Sequence, residues 1–350
     1  MKSAMLLPDY YSDIVKILRS SDWLRHNFNC SSDEIFNAVN YQHNHQFEGI
    51  KYQVVLDMNI LQYLLNIVKK SEPSIYSRTA AAYLTFFQIS DIQLDPTYAI
   101  YEKICYSNDR ADEAISNLEQ IRGIDNHNQV ELAEYALGYR KNLLVNPIKV
   151  DNRDSLKSDL LKYRRLTDWD SLYLCILSIT NIHLSSSIPH SKKIIAFIEW
   201  SIREFRFSIA ALVYASVLFG RTPESNMMKY KTNSSIKKQK SSFSNMTWDL
   251  YYLDRYMKTW CSENKNIETL ILTADKALNL SIKLAVECQI SEGIEPLRSH
   301  VGNNFDKLVF SYENRNSNDR AYNKPYWGYE YRDNLIKKLE SKLLKNELLI

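Results

Sequence analysis

Apolar and polar positions along the chain alternate between two designs. Tyr52 to Val55 suit a strand, which runs through Leu56 to Asp57. Asn59, a good helix N-cap, follows, and Ile60, Leu61, Leu64, Leu65 and Val68 then recur at helical spacing. The design repeats near the other end of the chain. Glu268 to Leu272 reads as a strand, Thr273-Ala274-Asp275 as a turn, and a helix follows from Lys276. Between them, residues 89–94 alternate as a short strand or extended turn. Asp95-Pro96 then opens a helix carrying Glu102 two turns on. Residues 8–47 and about 110–225 carry helical patterning throughout. Residues 228–244 break it: Lys229, Lys231, Lys237, Lys238 and Lys240 occur with no acid, which predicts a flexible basic loop. From Asn245 a helix resumes to about Trp260, with Asp249 in its first turn and Asp254 expected at the surface. Residues 303–327 are polar, Tyr-rich and expected to be irregular; a charged helix closes the chain from Tyr329.

Composition narrows the class. The 350 residues are 45% hydrophobic and 24% charged, ordinary for a soluble globular protein with a sizeable core. Seven Gly and eight Pro are few, which favours long helices. A net charge of +3 does not by itself announce a nucleic-acid binder, so any basic surface has to be local. Cys30, Cys105, Cys175, Cys261 and Cys288 lie far apart, with neither zinc-site nor disulfide spacing, as expected in a reducing cytoplasm. The start lacks a signal-peptide core, and the most apolar run, residues 208–220, is too short to span a bilayer, so no membrane partner is expected.

The chemistry lies in the acids. Asp57 and Asp275 both fall where a strand ends and a helix begins, the place where open α/β sheets bind ligands. If the two strands are parallel neighbours, both acids share one rim, and early-helix acids such as Glu102 and Asp249 can join them. Clustered carboxylates need cations to stay ionised, and an all-oxygen donor set suits Mg²⁺ or Mn²⁺. Such ions activate water against a phosphodiester. His43 and His45 offer two ligands without a third.

These motifs resemble the PIN-domain nucleases. The resemblance rests on Asp57-Met58-Asn59 after the first strand, Glu102 early in a later helix, Asp249 opening another, and Thr273-Ala274-Asp275 after a strand. It covers roughly residues 50–105 and 243–290. It implies a three-layer α/β/α fold with a parallel sheet, held Mg²⁺ or Mn²⁺, and hydrolysis of RNA to 3′-hydroxyl and 5′-phosphate ends. Asp57, Glu102, Asp249 and Asp275 would be the metal-binding, catalytic carboxylates. Asn59 and Thr273 would orient them, and the five lysines from Lys229 to Lys240 would contact the RNA backbone. The large separation of Glu102 from Asp249 departs from the compact family pattern, and Asp91, Asp95, Asp112, Asp168 and Asp170 compete with Glu102.

The organisation expected is a helical N-terminal extension (1–48), a discontinuous nuclease domain (49–109 and 241–300), a helical insertion (110–240) and a C-terminal polar segment and helix (301–350). By analogy, a bacterial toxin or defence effector would have an inhibitory protein partner, and a homo-oligomer is compatible with the sequence. The alternative is an inactive PIN-like nucleic-acid-binding protein or a helical interaction scaffold.

Overall fold

The computed structural model describes residues 7–26, 32–69, 72–105, 110–163, 166–260, 266–316 and 328–344. Cys30, Cys261 and residues 317–327 lie outside them. The chain begins α1 (Tyr11–Ser21), β1 (Leu24–His26), α2 (Ser32–Ile35), α3 (Ala38–His43), a π-helical turn, then β2 (Lys51–Leu56) and α4 (Met58–Lys69). It continues α5 (Ile75–Ser90), β3 (Ile92–Asp95), α6 (Thr97–Cys105), α7 (Ala111–Asp125), α8 (Gln129–Leu137) and α9 (Arg153–Lys162). Then come α10 (Trp169–Leu184), α11 (Lys193–Arg203), α12 (Ile209–Phe219) and α13 (Ile236–Trp260). After β4 (Ile267–Leu272) follow α14 (Lys276–Ile290), α15 (Arg298–Val301), α16 (Phe305–Glu313) and α17 (Tyr329–Leu343).

These elements form two compact units, Met1–Arg165 with Lys258–Asn279, and Leu166–Met257 with Leu280–Ile350. The helices α7 to α9, expected in the insertion, belong to the first unit, with the sheet.

The sheet runs β1-β4-β2-β3. The strands β2, β3 and β4 are parallel, so the expected α/β class holds. The sheet is mixed rather than wholly parallel, because β1 pairs antiparallel with β4, Leu24 opposite Leu272. A purely helical N-terminal extension is thereby corrected. Asp22 ends α1 in the left-handed region (φ 55°), its N–H on the Leu18 carbonyl, and turns the chain so that Leu24 is buried on the sheet edge. Asp91 does the same after α5 (φ 55°), which confines β3 to residues 92–95. The helix α5 is buried almost all round, since Ala80, Ala81 and Ala82 let neighbours approach while Tyr83, Phe86 and Phe87 fill the core.

In the second unit the apolar residues 208–220 form the buried helix α12, and no described helix is long and apolar enough to cross a membrane. Here α13 starts at Ile236, so Lys237, Lys238 and Lys240 are exposed on its first turns, and only Lys229 and Lys231 belong to the preceding connection. The expected loop was overextended because lysine and glutamine are good helix formers and no Gly or Pro interrupts them. Residues 303–316, expected irregular, are largely helical, anchored by the buried Phe305 and Leu308.

Candidate active site at the carboxyl edge of the sheet

Pairing does not stop at the strand ends. The Asp57 N–H donates to the Leu272 carbonyl (3.2 Å), and the Thr273 N–H donates to the Trp23 carbonyl (3.0 Å). Asp57, Thr273 and Trp23 therefore stand in a row along the carboxyl edge of the parallel strands.

Asp57 is 3% exposed, and such burial of a carboxylate requires compensating donors. Its Oδ1 accepts the Ile60 N–H at 2.8 Å, capping α4. The sequence assigned that cap to Asn59, which instead lies exposed in the first turn. Asp57 Oδ2 accepts the hydroxyl of the fully buried Thr273. The same hydroxyl accepts the Asp275 N–H at 3.1 Å. Asp275, half-buried, caps α14 through the N–H groups of Ala277 (2.9 Å) and Leu278 (3.1 Å). One threonine thus ties the Asp57 carboxylate to the Asp275 backbone, and each carboxylate is also held at a helix N-terminus where the dipole favours negative charge.

Other acids have different settings. Glu102 is half-buried on α6, a helix packed against β2 and α4. Asp95 ends β3 opposite Val55 and accepts the Thr97 N–H at 3.0 Å, which places it on the same carboxyl edge. Asp249 belongs to the second unit. It lies well inside α13 rather than in its first turn, and its carboxylate takes the Lys229 ammonium at 2.6 Å. A residue expected on the metal and one expected on RNA therefore bind each other. Asp254, expected at the surface, is 8% exposed. Among the competitors, Asp91 pairs with His45 (2.6 Å), Asp112 with Lys157 (2.5 Å), Asp168 with Arg255 (3.2 Å) and Asp170 with Arg332 (3.6 Å).

Among the described residues no group of three or more His, Cys, Asp and Glu is arranged to hold a metal ion. The donor set at the edge still has the right chemistry for Mg²⁺, which is commonly held by one or two carboxylates and completed by water and substrate phosphate. Asp57 and Asp275 are such a pair, linked through Thr273.

Two features of this unit had no distinct sequence signal. Beyond the end of β3 is a cavity of about 390 Å³ lined by Asp95, Ile100, Tyr101, Arg122, Asp125 and Leu160, among others. Burial pushes the Asp125 carboxyl up to about 6. The other is a cluster of near-parallel aromatic rings around Trp23. The abundance of tyrosine hinted at aromatic surfaces but not at their place.

In comparisons with known proteins, no family model, no curated protein and no solved structure matches the chain.

Proposed function

We propose that the chain is a divalent-metal-dependent ribonuclease of PIN-like design whose centre is the carboxyl edge of β2 and β4. The observation that carries this reading is the coupling of Asp57 to Asp275 through Thr273, across two adjacent parallel strands. Asp57 and Asp275 would hold Mg²⁺ or Mn²⁺, which supplies charge neutralisation and polarisation at a phosphodiester. Thr273 donates to Asp57 and fixes its carboxylate plane, as partners of metal-binding carboxylates do. The Ile60 N–H donates to Asp57 Oδ1 and offsets part of the cost of burying that carboxylate. Glu102 and Asp95, both in the same unit, would complete the site.

A second reading, RNA binding without cleavage, draws support from the Lys229–Asp249 ion pair and from the lack of a three-acid group among the described residues. Incubating single-stranded RNA with the protein in Mn²⁺ or in EDTA separates the two. Cleavage in Mn²⁺ that EDTA abolishes supports the nuclease. Binding with intact RNA under both conditions supports the second reading.

A further inference from the structure

The carboxyl edge carries an aromatic stack that the proposed chemistry does not use. Tyr83, fully buried, lies under Trp23 with ring centroids 5.7 Å apart and planes 11° apart. The Tyr83 hydroxyl accepts the Trp23 backbone N–H at 2.9 Å and fixes the main chain that carries the indole. Beyond Trp23 come Tyr76 (6.4 Å, 13°) and Tyr63 (5.8 Å, 32°), themselves stacked at 5.1 Å and 19°. Exposure rises along the series: Trp23 is 9% exposed and Tyr76 52%. The stack therefore starts in the core and ends in solvent.

Its position relates it to the acids. The Trp23 carbonyl takes the Thr273 N–H, and the Thr273 side chain takes Asp57. Tyr63 lies on α4, the helix that Asp57 caps, and stacks with Tyr76. The outer rings are thus neighbours of the carboxylate edge. Lys276, exposed one residue beyond Asp275, adds a cation to the same edge.

We propose that Tyr76, with Tyr63 beside it, is a stacking platform for an unpaired base of a single-stranded RNA whose backbone crosses the Asp57–Asp275 edge. The inference rests on the nuclease reading for the identity of the strand, but its test does not depend on cleavage. A flat, rigid ring stack suits a base because every base offers a π-face, and stacking of this kind is tolerant of sequence. The exposed Lys276 gives that edge a cation for a backbone phosphate, so binding to the rings can be read without divalent ions. A base in a duplex is already stacked on both faces, so the platform selects unpaired strands.

The experiment measures fluorescence anisotropy of a short labelled oligouridylate in EDTA, with wild type, Tyr76→Ala and Tyr76→Phe. A length-matched abasic strand and a duplex serve as second and third probes. Tyr76→Ala is expected to weaken single-strand binding about tenfold, and Tyr76→Phe, which keeps the ring, to change it less than about twofold. The abasic strand and the duplex should bind wild type as weakly as the oligouridylate binds Tyr76→Ala. Unchanged affinity of Tyr76→Ala, or an abasic strand that binds wild type as well as the oligouridylate, would overturn the platform. Tyr76-dependent binding by a wild type that cuts nothing in Mn²⁺ would remove the nuclease reading and leave the platform standing.

Discussion

Asp57 does two jobs with one carboxylate, and Thr273 decides how it presents the second. Because Thr273 is fully buried and its hydroxyl serves both Asp57 and Asp275, Thr273→Val removes a donor to a charged group with little change of shape. The expected loss in stability is about 2 kcal/mol by denaturant titration, together with reduced RNA cleavage. An unchanged midpoint and rate would show that the hydroxyl holds nothing. Asp125 makes a separate claim about pH. Its pKa in the fold, about 6, lies above its unfolded value of about 4, so the fold favours the protonated acid. The stability from this group is complete below about pH 4 and is lost as the pH rises through about 6. Asp125→Asn should therefore stabilise the protein by about 2 kcal/mol near pH 7 and leave it unchanged near pH 4, as read from melting at each pH. Equal effects at both pH values would mean that the burial of Asp125 is unimportant.

At the scale of elements, the strands that carry the acids were legible, because β2 and β4 have strand-forming residues followed by an acid and a helical stripe. The parallel pairing of Val54 with Leu270 then set Asp57 beside Thr273, a contact that spacing alone does not reveal. Three details were illegible for physical reasons. The strand β1 is only Leu24–His26, too short to show a period, and exists because β4 offers it an edge. Asp57 displaced Asn59 as the cap because the last ladder bond holds its backbone at the strand end. The early start of α13 was hidden by the lysine run, whose charge pattern reads as a loop although lysine and glutamine favour helix, and the fully buried Phe243 and Met246 anchor the helix further on.

The strap after α8 offers an element-scale test. Glu119 on α7, almost fully buried, binds Lys149 (3.3 Å) and Arg153 (2.9 Å), and accepts the Val150 N–H at 3.4 Å. A Cβ at Gly123, one turn further on, would meet the Asn146 carbonyl oxygen at 2.3 Å. Because that atom is backbone, Gly123→Ala must push the strap off the helix, at an expected loss of about 2 kcal/mol in denaturant titration. A variant as stable as wild type would show that the strap does not pack so closely.

For the whole molecule, the sheet and its acids belong to one compact unit, and Asp249 to the other, a helical body organised around Trp169, Trp248 and Phe243. The first unit alone contains Asp57, Asp95, Glu102, Asp275 and the aromatic stack, so the account places the chemistry there. The Lys229–Asp249 pair assigns Asp249 a structural contact within the second unit. Cleavage of single-stranded RNA in Mn²⁺ by wild type and by Asp57→Asn tests this most directly, since asparagine retains the cap on α4 but not the charge. The account predicts cleavage by wild type and a loss of at least about a hundredfold in the variant, with the melting temperature close to wild type. Equal cleavage by the two proteins would contradict it.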